Sequence, residues 1–134
     1  MNYKLIILIF FIISIYGCNA ERKESENINE HINYATTVYR ESGLLGVIDL
    51  INNCPINNKK NLYKCLVYDY TGYFIDKGMA EINRFPLDDF FKDDMMEGRF
   101  IKIIENNDNK NSLNLESSKS IRRAVFTHMN GGTK

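Results

Sequence analysis

The stretch of sequence that decides the fold is residues 54–82, CPINNKKNLYKCLVYDYTGYFIDKGMAEI. It holds two cysteines, a polar turn that a proline opens, and then a run with helical spacing. From the second cysteine onward, apolar or small residues recur at steps of three and four: Cys65, Tyr68, Gly72, Ile75, Met79 and Ile82. This spacing predicts a helix over about residues 62–83, with those positions on its buried stripe.

A β-hairpin is the alternative for this stretch, because its valine, isoleucine and aromatic residues favour strands and Thr71-Gly72 can turn. The helical spacing fits six successive positions, so we prefer the helix. Gly72 costs a helix roughly 1 kcal/mol relative to alanine. Close approach of a neighbouring helix would offset that cost.

Residues 1–20, MNYKLIILIFFIISIYGCNA, have the composition of an export signal. Their apolar run is shorter than the roughly 20 residues that span a bilayer. Residues 15–18 resemble a bacterial lipoprotein box, which implies cleavage after residue 17 and lipidation of Cys18. Cleavage after Ala20 and a retained anchor helix are the alternatives. Asn19 follows the lipidation site, and with this residue the lipoprotein resemblance implies an outer-membrane anchor that faces the periplasm. Ordinary cleavage after Ala20 would instead give a soluble periplasmic protein.

Cys54 and Cys65 are predicted to form a disulfide, because they remain as an even pair in an oxidising compartment. Such a bridge would contribute roughly 3 kcal/mol in the chain-entropy model. Two independent buried thiols are one alternative. A zinc site is a weaker one, since the spacing does not suit zinc and His31 and His128 are distant in sequence.

The chain is predicted to comprise a signal peptide (1–17, or 1–20 with ordinary cleavage), a flexible polar tether (18–27) and one helical domain (28–130). The fold class is all-α, a small bundle of four to five helices that contains a disulfide-clamped helical hairpin. The first helix is predicted to begin near Asn27 or Asn29 and to meet Gly43, as one long kinked helix or two shorter ones. Its section 44–51 is apolar nearly all round and is predicted to be the most buried.

A third helix is predicted to start with Pro86 at its first position and to direct Leu87, Phe91 and Met95 inward. Two structures fit residues 99–116: a helix that is followed by a loop, or a short β-hairpin. A last helix is predicted from residue 116 or 117 to 129, and its inward positions are Ile121, Val125 and Met129.

Chemistry is weakly encoded in this sequence. The formal net charge is zero, and loss of residues 1–17 removes only Lys4, which disfavours nucleic acid as a partner. His31 and His128 are interpreted as surface or helix-end histidines. The acidic run at 88–97 is interpreted as a solvated helix flank, in preference to a metal or acid–base cluster. We therefore predict a protein that is not an enzyme and has no metal or cofactor. The tyrosines at 63, 68, 70 and 73 spread around one helix, so at least one or two should be partly exposed, where they could meet a protein partner. Ordinary core tyrosines on an amphipathic helix are the alternative, which we prefer.

Two motifs carry a family resemblance: Gly-Val-Ile-Asp at 46–49, and Cys65-x-x-Tyr68 followed by Gly72 and Asp76. Over residues 40–82 the chain resembles the helical periplasmic immunity proteins of type VI secretion (the Rap1a and Tai4 types). The resemblance implies a non-catalytic protein that binds a secreted peptidoglycan amidase and covers the amidase's catalytic cysteine and histidine with a protruding loop.

The candidate partner-binding residues lie in and beside the predicted loop 105–111: Asn106, Asn107, Asp108, Asn109, Lys110, Asn111, Asp89 and Asp93. A structural or entry-exclusion lipoprotein of the envelope is the alternative function, because it needs the same leader, tether and disulfide. A homodimer is a further arrangement that the sequence leaves open.

Overall fold

A computed structural model describes the backbone of residues 3–106 and 115–131, and the side chains of 28–58, 60–102 and 116–131. Within these ranges the chain forms four α-helices, one 3-10 turn and no strand. The elements are α1 (Tyr3–Asn52), α2 (Lys59–Asn83), the 3-10 turn (Asp89–Phe91), α3 (Asp93–Asn106) and α4 (Leu115–Met129). The all-α prediction is confirmed. The β-hairpin considered near 99–116 is wrong for residues 99–106, which are helical, whereas 107–114 lie outside the described residues.

Helix α1 is one element with a bend at Gly43, whose φ of 68° and ψ of −165° interrupt the helix. Glycine adopts this left-handed φ without the steric cost that other residues meet. The helical backbone also runs through residues 18–27, where the sequence predicts a flexible tether. That segment contains no proline or glycine and is rich in glutamate, lysine and arginine, which are good helix formers.

Helix α2 is the centre of the bundle, because it contacts α1, α4 and the 3-10 turn. Its middle section is therefore buried on every side: Cys65, Leu66, Val67, Tyr68, Asp69, Thr71, Gly72, Tyr73 and Asp76. The prediction that 44–51 would be the most buried section is wrong. Only Val47 is fully buried there, and Leu45 is 74% exposed, since that arm of α1 covers one side of α2 and faces solvent on the other.

The disulfide prediction is confirmed, and the bond joins the end of α1 to the first turns of α2. The Cα atoms of Cys54 and Cys65 are 5.8 Å apart, within the usual range for a disulfide. Both cysteines are buried and pack with Ala35 and Tyr68. Asn58 caps α2, because its side-chain oxygen accepts a hydrogen bond from the backbone N–H of Asn61 at 2.9 Å.

The third helix begins at Asp93, not at Pro86 as predicted, because a tertiary contact replaces the expected helix start. The carboxylate of Asp76 accepts a hydrogen bond from the backbone N–H of Asp88 at 2.8 Å, which holds the non-helical segment 85–88 against α2. Phe91 then packs against Gly72: a Cβ on Gly72 would lie 2.7 Å from Phe91 Cζ. The later start also changes the helix phase, so Met96 is buried and Met95 is half exposed.

Helix α4 closes the bundle as predicted. Ile121 and Val125 are buried, and Met129 packs partly buried against the same cluster, which includes Ile28 and Ile32 of α1. Where side chains are described, no helix has the length and apolar character needed to cross a membrane.

Candidate functional site

The apolar stripe of α2 is buried along the first part of the helix and becomes exposed to solvent near its end. Cys65 and Tyr68 are buried as predicted. Further along, Met79 is 44% exposed and Ile82 is 78% exposed, and Phe85 just beyond the helix is 72% exposed. The predicted buried stripe is thus correct for the first half of α2 and wrong for the last two turns. Three large apolar side chains at and just beyond the end of α2 are therefore exposed.

Two of these side chains, Met79 and Phe85, line a groove of about 400 Å³, which we call the Met79 groove. It lies between the bend of α1, the last turns of α2 and the segment after α2. Its apolar lining comes from Leu44, Ile75, Met79, Ala80, Phe85 and Pro86. Tyr39, Gly43 and Asn83 complete the neutral lining. The volume falls in the range of roughly 300–1,000 Å³ that is typical of ligand clefts.

The charged side chains that line the Met79 groove are two carboxylates, Asp76 and Asp88. None of the lysine or arginine side chains that the structure describes lines it. Burial raises the pKa of Asp76; the hydrogen bond from the backbone of Asp88 opposes this effect, and the negative charge of Asp88 adds to it. The groove therefore combines an apolar surface with negative charge.

A residue with a strained backbone precedes Phe85, which forms one wall of the groove. Arg84 follows the last residue of α2 with a φ of 58°, in the left-handed region. Glycine is the usual residue at such a helix end, and other residues pay about 1–2 kcal/mol for that conformation. Together with the Asp76–Asp88 hydrogen bond, this turn fixes the direction of the segment that brings Phe85 and Pro86 to the groove.

The sequence-predicted binding residues whose side chains the structure describes, Asp89 and Asp93, do not line the Met79 groove. Residues 107–111 fall outside the described residues, and Asn106 is the last residue of α3. Asp89 forms an exposed ion pair with Lys92, whose proximity lowers the pKa of Asp89. Asp93 is 3.8 Å from the guanidinium of Arg122. Both aspartates therefore form ion pairs with neighbouring basic side chains, outside the lining of the Met79 groove.

Sequence reasoning also missed a buried ion pair that fixes α3 to α2. Arg99 Nη2 and Nε donate to the two carboxylate oxygens of Asp69 at 2.7 and 3.2 Å. Arg99 Nη1 donates to the carbonyl of Phe90 at 2.6 Å, and the guanidinium lies 3.8 Å from the centre of the Phe90 ring. Burial raises the pKa of Asp69, and the hydrogen bonds and charge of Arg99 act in the opposite direction. Asp69 inside an apolar run was the one signal of a buried partner in the sequence. It does not identify Arg99, which is 30 residues away.

The histidines and tyrosines take structural positions. The ring of His31 packs edge-on against Tyr68 at 5.9 Å, and burial lowers the pKa of His31. His128 lies in the last turn of α4, as predicted. Tyr63 and Tyr70 are half-buried, and the Tyr70 hydroxyl is hydrogen-bonded to Ser118. Among the described side chains, no three histidine, cysteine, aspartate or glutamate residues are grouped as a metal site would require.

Comparison with protein-family models, with curated proteins and with solved structures finds no match to this chain.

Proposed function

We propose that this protein is a non-catalytic binding protein of the bacterial envelope that inhibits a secreted peptidoglycan hydrolase of the amidase type. The observation that carries the proposal is the exposed apolar surface of Met79, Ile82 and Phe85. Contiguous apolar patches on a folded domain mark surfaces that meet other proteins. The resemblance to periplasmic immunity proteins supplies the class of target.

The scaffold suits an inhibitor that binds without rearranging. The disulfide fixes α1 to α2, and the Arg99–Asp69 pair fixes α3 to α2. A scaffold whose helices are fixed to one another loses little conformational freedom when it binds. Inhibitor complexes bury roughly 800 Å² on each partner, so the apolar patch would form the centre of a larger interface. The predicted plug for the hydrolase's catalytic cysteine and histidine is now limited to residues 107–111, because residues 105 and 106 belong to α3.

The proposed compartment is the periplasm, with Cys18 as the lipidated residue. The disulfide supports this address, because such bonds persist in oxidising compartments. Labelling cells with radioactive palmitate tests the anchor: wild type should incorporate label and Cys18→Ala should not. Equal labelling of the two proteins would refute lipidation at Cys18.

Inhibition of a hydrolase tests the function. The probe is the product of a neighbouring gene, chosen because it encodes a small secreted cysteine–histidine hydrolase, and the readout is release of fragments from purified peptidoglycan. We expect inhibition that is complete near one protein per hydrolase and weakened by a triple alanine variant of Asn107, Asp108 and Lys110. Full hydrolysis in the presence of excess protein would refute the proposal. If conjugation into expressing cells fell instead, entry exclusion would replace it.

A further inference from the structure

We infer that the Met79 groove binds a segment of a partner protein in which an apolar side chain lies next to a lysine or arginine. This inference rests on the proposed function, since it specifies the surface and the chemistry of the segment that the surface accepts. It does not depend on residues 107–111, which the proposed function treats as a plug.

The extent of the apolar surface favours a protein segment over a small molecule. Ile75 and Met79 line the groove, and Ile82 continues the same helical stripe three residues later. From Ile75 to Ile82 the helix rises about 10 Å at 1.5 Å per residue. Phe85 extends the surface beyond the helix end. A surface of this length can hold two or more consecutive side chains of an extended peptide.

The negative charge of the groove favours a basic residue next to the apolar residue of the partner segment. Asp76 is only 8% exposed, and its position is fixed by the hydrogen bond from Asp88. Asp88 itself is exposed. A carboxylate at the edge of an apolar, partly desolvated cleft attracts a cation more strongly than one in open water. An ammonium or guanidinium group from the partner would therefore pair with Asp76 and Asp88 while its apolar neighbour contacts Met79.

The same charges argue against a second copy of this chain as the occupant. A symmetric dimer places identical patches face to face. If the groove lay on the two-fold axis, Asp76 and Asp88 of each copy would approach those of the other, and the described lining of neither groove supplies a lysine or arginine. Like charges across an interface disfavour the complex. A partner with basic residues avoids this repulsion.

Selection of peptides tests the inference directly. Random twelve-residue peptides displayed on phage are selected on the immobilised full-length protein, and enriched sequences are synthesised and measured by fluorescence anisotropy. We expect enriched peptides to carry an apolar residue within three positions of lysine or arginine. Met79→Ser should weaken their binding roughly tenfold or more, as loss of a central apolar contact does. The double variant Asp76→Asn, Asp88→Asn should weaken it about fivefold or more and reduce its salt dependence. The asparagine introduced at position 76 keeps a side-chain oxygen that can accept the hydrogen bond from the backbone of residue 88.

The matched control is Ile101→Ser on α3. Ile101 is 46% exposed, close to the 44% of Met79, but it does not line the groove. We expect it to bind the selected peptides as wild type does. No enrichment, enrichment without basic residues, or equal weakening by both serine variants would overturn the inference. So would a dimer in sedimentation that Met79→Ser converts to monomer.

The hydrolase assay separates this inference from the proposed function. If Met79→Ser inhibits the hydrolase as well as wild type does, the groove is not the binding surface, although the inhibitory function stands. If wild type fails to inhibit the hydrolase and still binds the basic apolar peptides through Met79, the groove stands and the proposed function is wrong.

Discussion

Replacing Arg99 with methionine should destabilise the protein in a manner that depends on pH. The side chain of Asp69 is 8% exposed and that of Arg99 is 19% exposed, so the pair is largely removed from water. Methionine keeps much of the apolar length of arginine but cannot pair with the carboxylate. The substitution therefore leaves Asp69 as a buried charge without its cation.

The expected loss in the free energy of unfolding is about 3 kcal/mol at pH 7.5. Removal of one partner from a buried ion pair typically costs roughly 3–5 kcal/mol, and the partial exposure of Arg99 places this site at the lower end. Two further contacts disappear as well: the hydrogen bond to the carbonyl of Phe90 and the stacking on its ring. The backbone of α3 should therefore exchange hydrogen faster than that of α2.

The dependence on pH follows from the direction of the pKa shift of Asp69. Burial raises the pKa of Asp69 in the folded state above its ordinary value of 3.8, even with Arg99 present. Without Arg99 the folded-state pKa rises further. The folded chain then keeps its proton at pH values where the unfolded chain has lost it. Stability therefore falls as pH rises from about 3.8 towards the folded-state pKa, by up to about 1.4 kcal/mol per pH unit.

Urea unfolding followed by circular dichroism at pH 4.5 and pH 7.5 measures this effect. We expect Arg99→Met to lose at least about 1 kcal/mol more at pH 7.5 than at pH 4.5, relative to wild type. Asp69→Asn in the Arg99→Met background should recover part of the loss at pH 7.5, because it removes the buried charge. Lys92→Met, which breaks an exposed pair, is the control and should cost much less at both pH values. Equal losses at the two pH values, or no recovery in the double variant, would refute the reasoning.

Three further predictions concern the backbone and the disulfide. Gly72→Ala should lower the free energy of unfolding in urea by about 1–3 kcal/mol, because the new Cβ would lie 2.7 Å from Phe91 Cζ. Gly78→Ala in the same helix is the control: its Cβ meets nothing within 4 Å, so it should raise the free energy of unfolding by about 1 kcal/mol. If both alanines stabilise, the close packing is wrong. Reduction of the Cys54–Cys65 bond should lower stability by about 3 kcal/mol for a separation of 11 residues, which thermal unfolding with and without reductant measures; an unchanged midpoint would contradict it. Arg84→Gly should stabilise by about 0.5–1 kcal/mol by removing a left-handed arginine, and a loss of stability would show that the arginine side chain makes an essential contact.

Local periodicity was sufficient to predict the central helix and the last helix, and the cysteine count together with the export signal was sufficient to predict the disulfide. Each depends on residues close together in sequence: the three-and-four spacing after Cys65, the four-residue spacing of Ile121 and Val125, and the single pair of cysteines in the domain. The start of α3 depends on distant residues instead. Pro86 fits a first helical position, but the Asp76–Asp88 hydrogen bond and the packing of Phe91 on Gly72 decide the backbone there. No pattern within residues 84–93 reports those contacts.

The Met79 groove could not be predicted for a related reason. Helical periodicity shows which side chains share a face, but not how far a neighbouring element covers that face. The spacing of Met79 and Ile82 is the same as that of Cys65 and Tyr68, yet only the earlier pair is buried. The difference arises beside the bend of α1 at Gly43, which lines the groove opposite the last turns of α2. Only the arrangement of the two helices reveals the uncovered surface.

Stability and binding measurements can distinguish whether the exposed end of α2 serves the fold or a partner. Single exposed apolar side chains are common on protein surfaces and need no explanation. Met79 and Phe85 differ because both line a cleft that two carboxylates also line, and Ile82 follows Met79 on the same helical stripe. If they served mainly to hold α2 in place, Met79→Ser would destabilise the chain as a core substitution does, by about 2 kcal/mol or more. If they serve a partner, the same variant should unfold within about 0.5–1 kcal/mol of wild type, as exposed substitutions do, and still lose peptide binding. Urea unfolding and fluorescence anisotropy on one protein preparation distinguish the two cases, and a large loss of stability would move Met79 from the binding surface to the core.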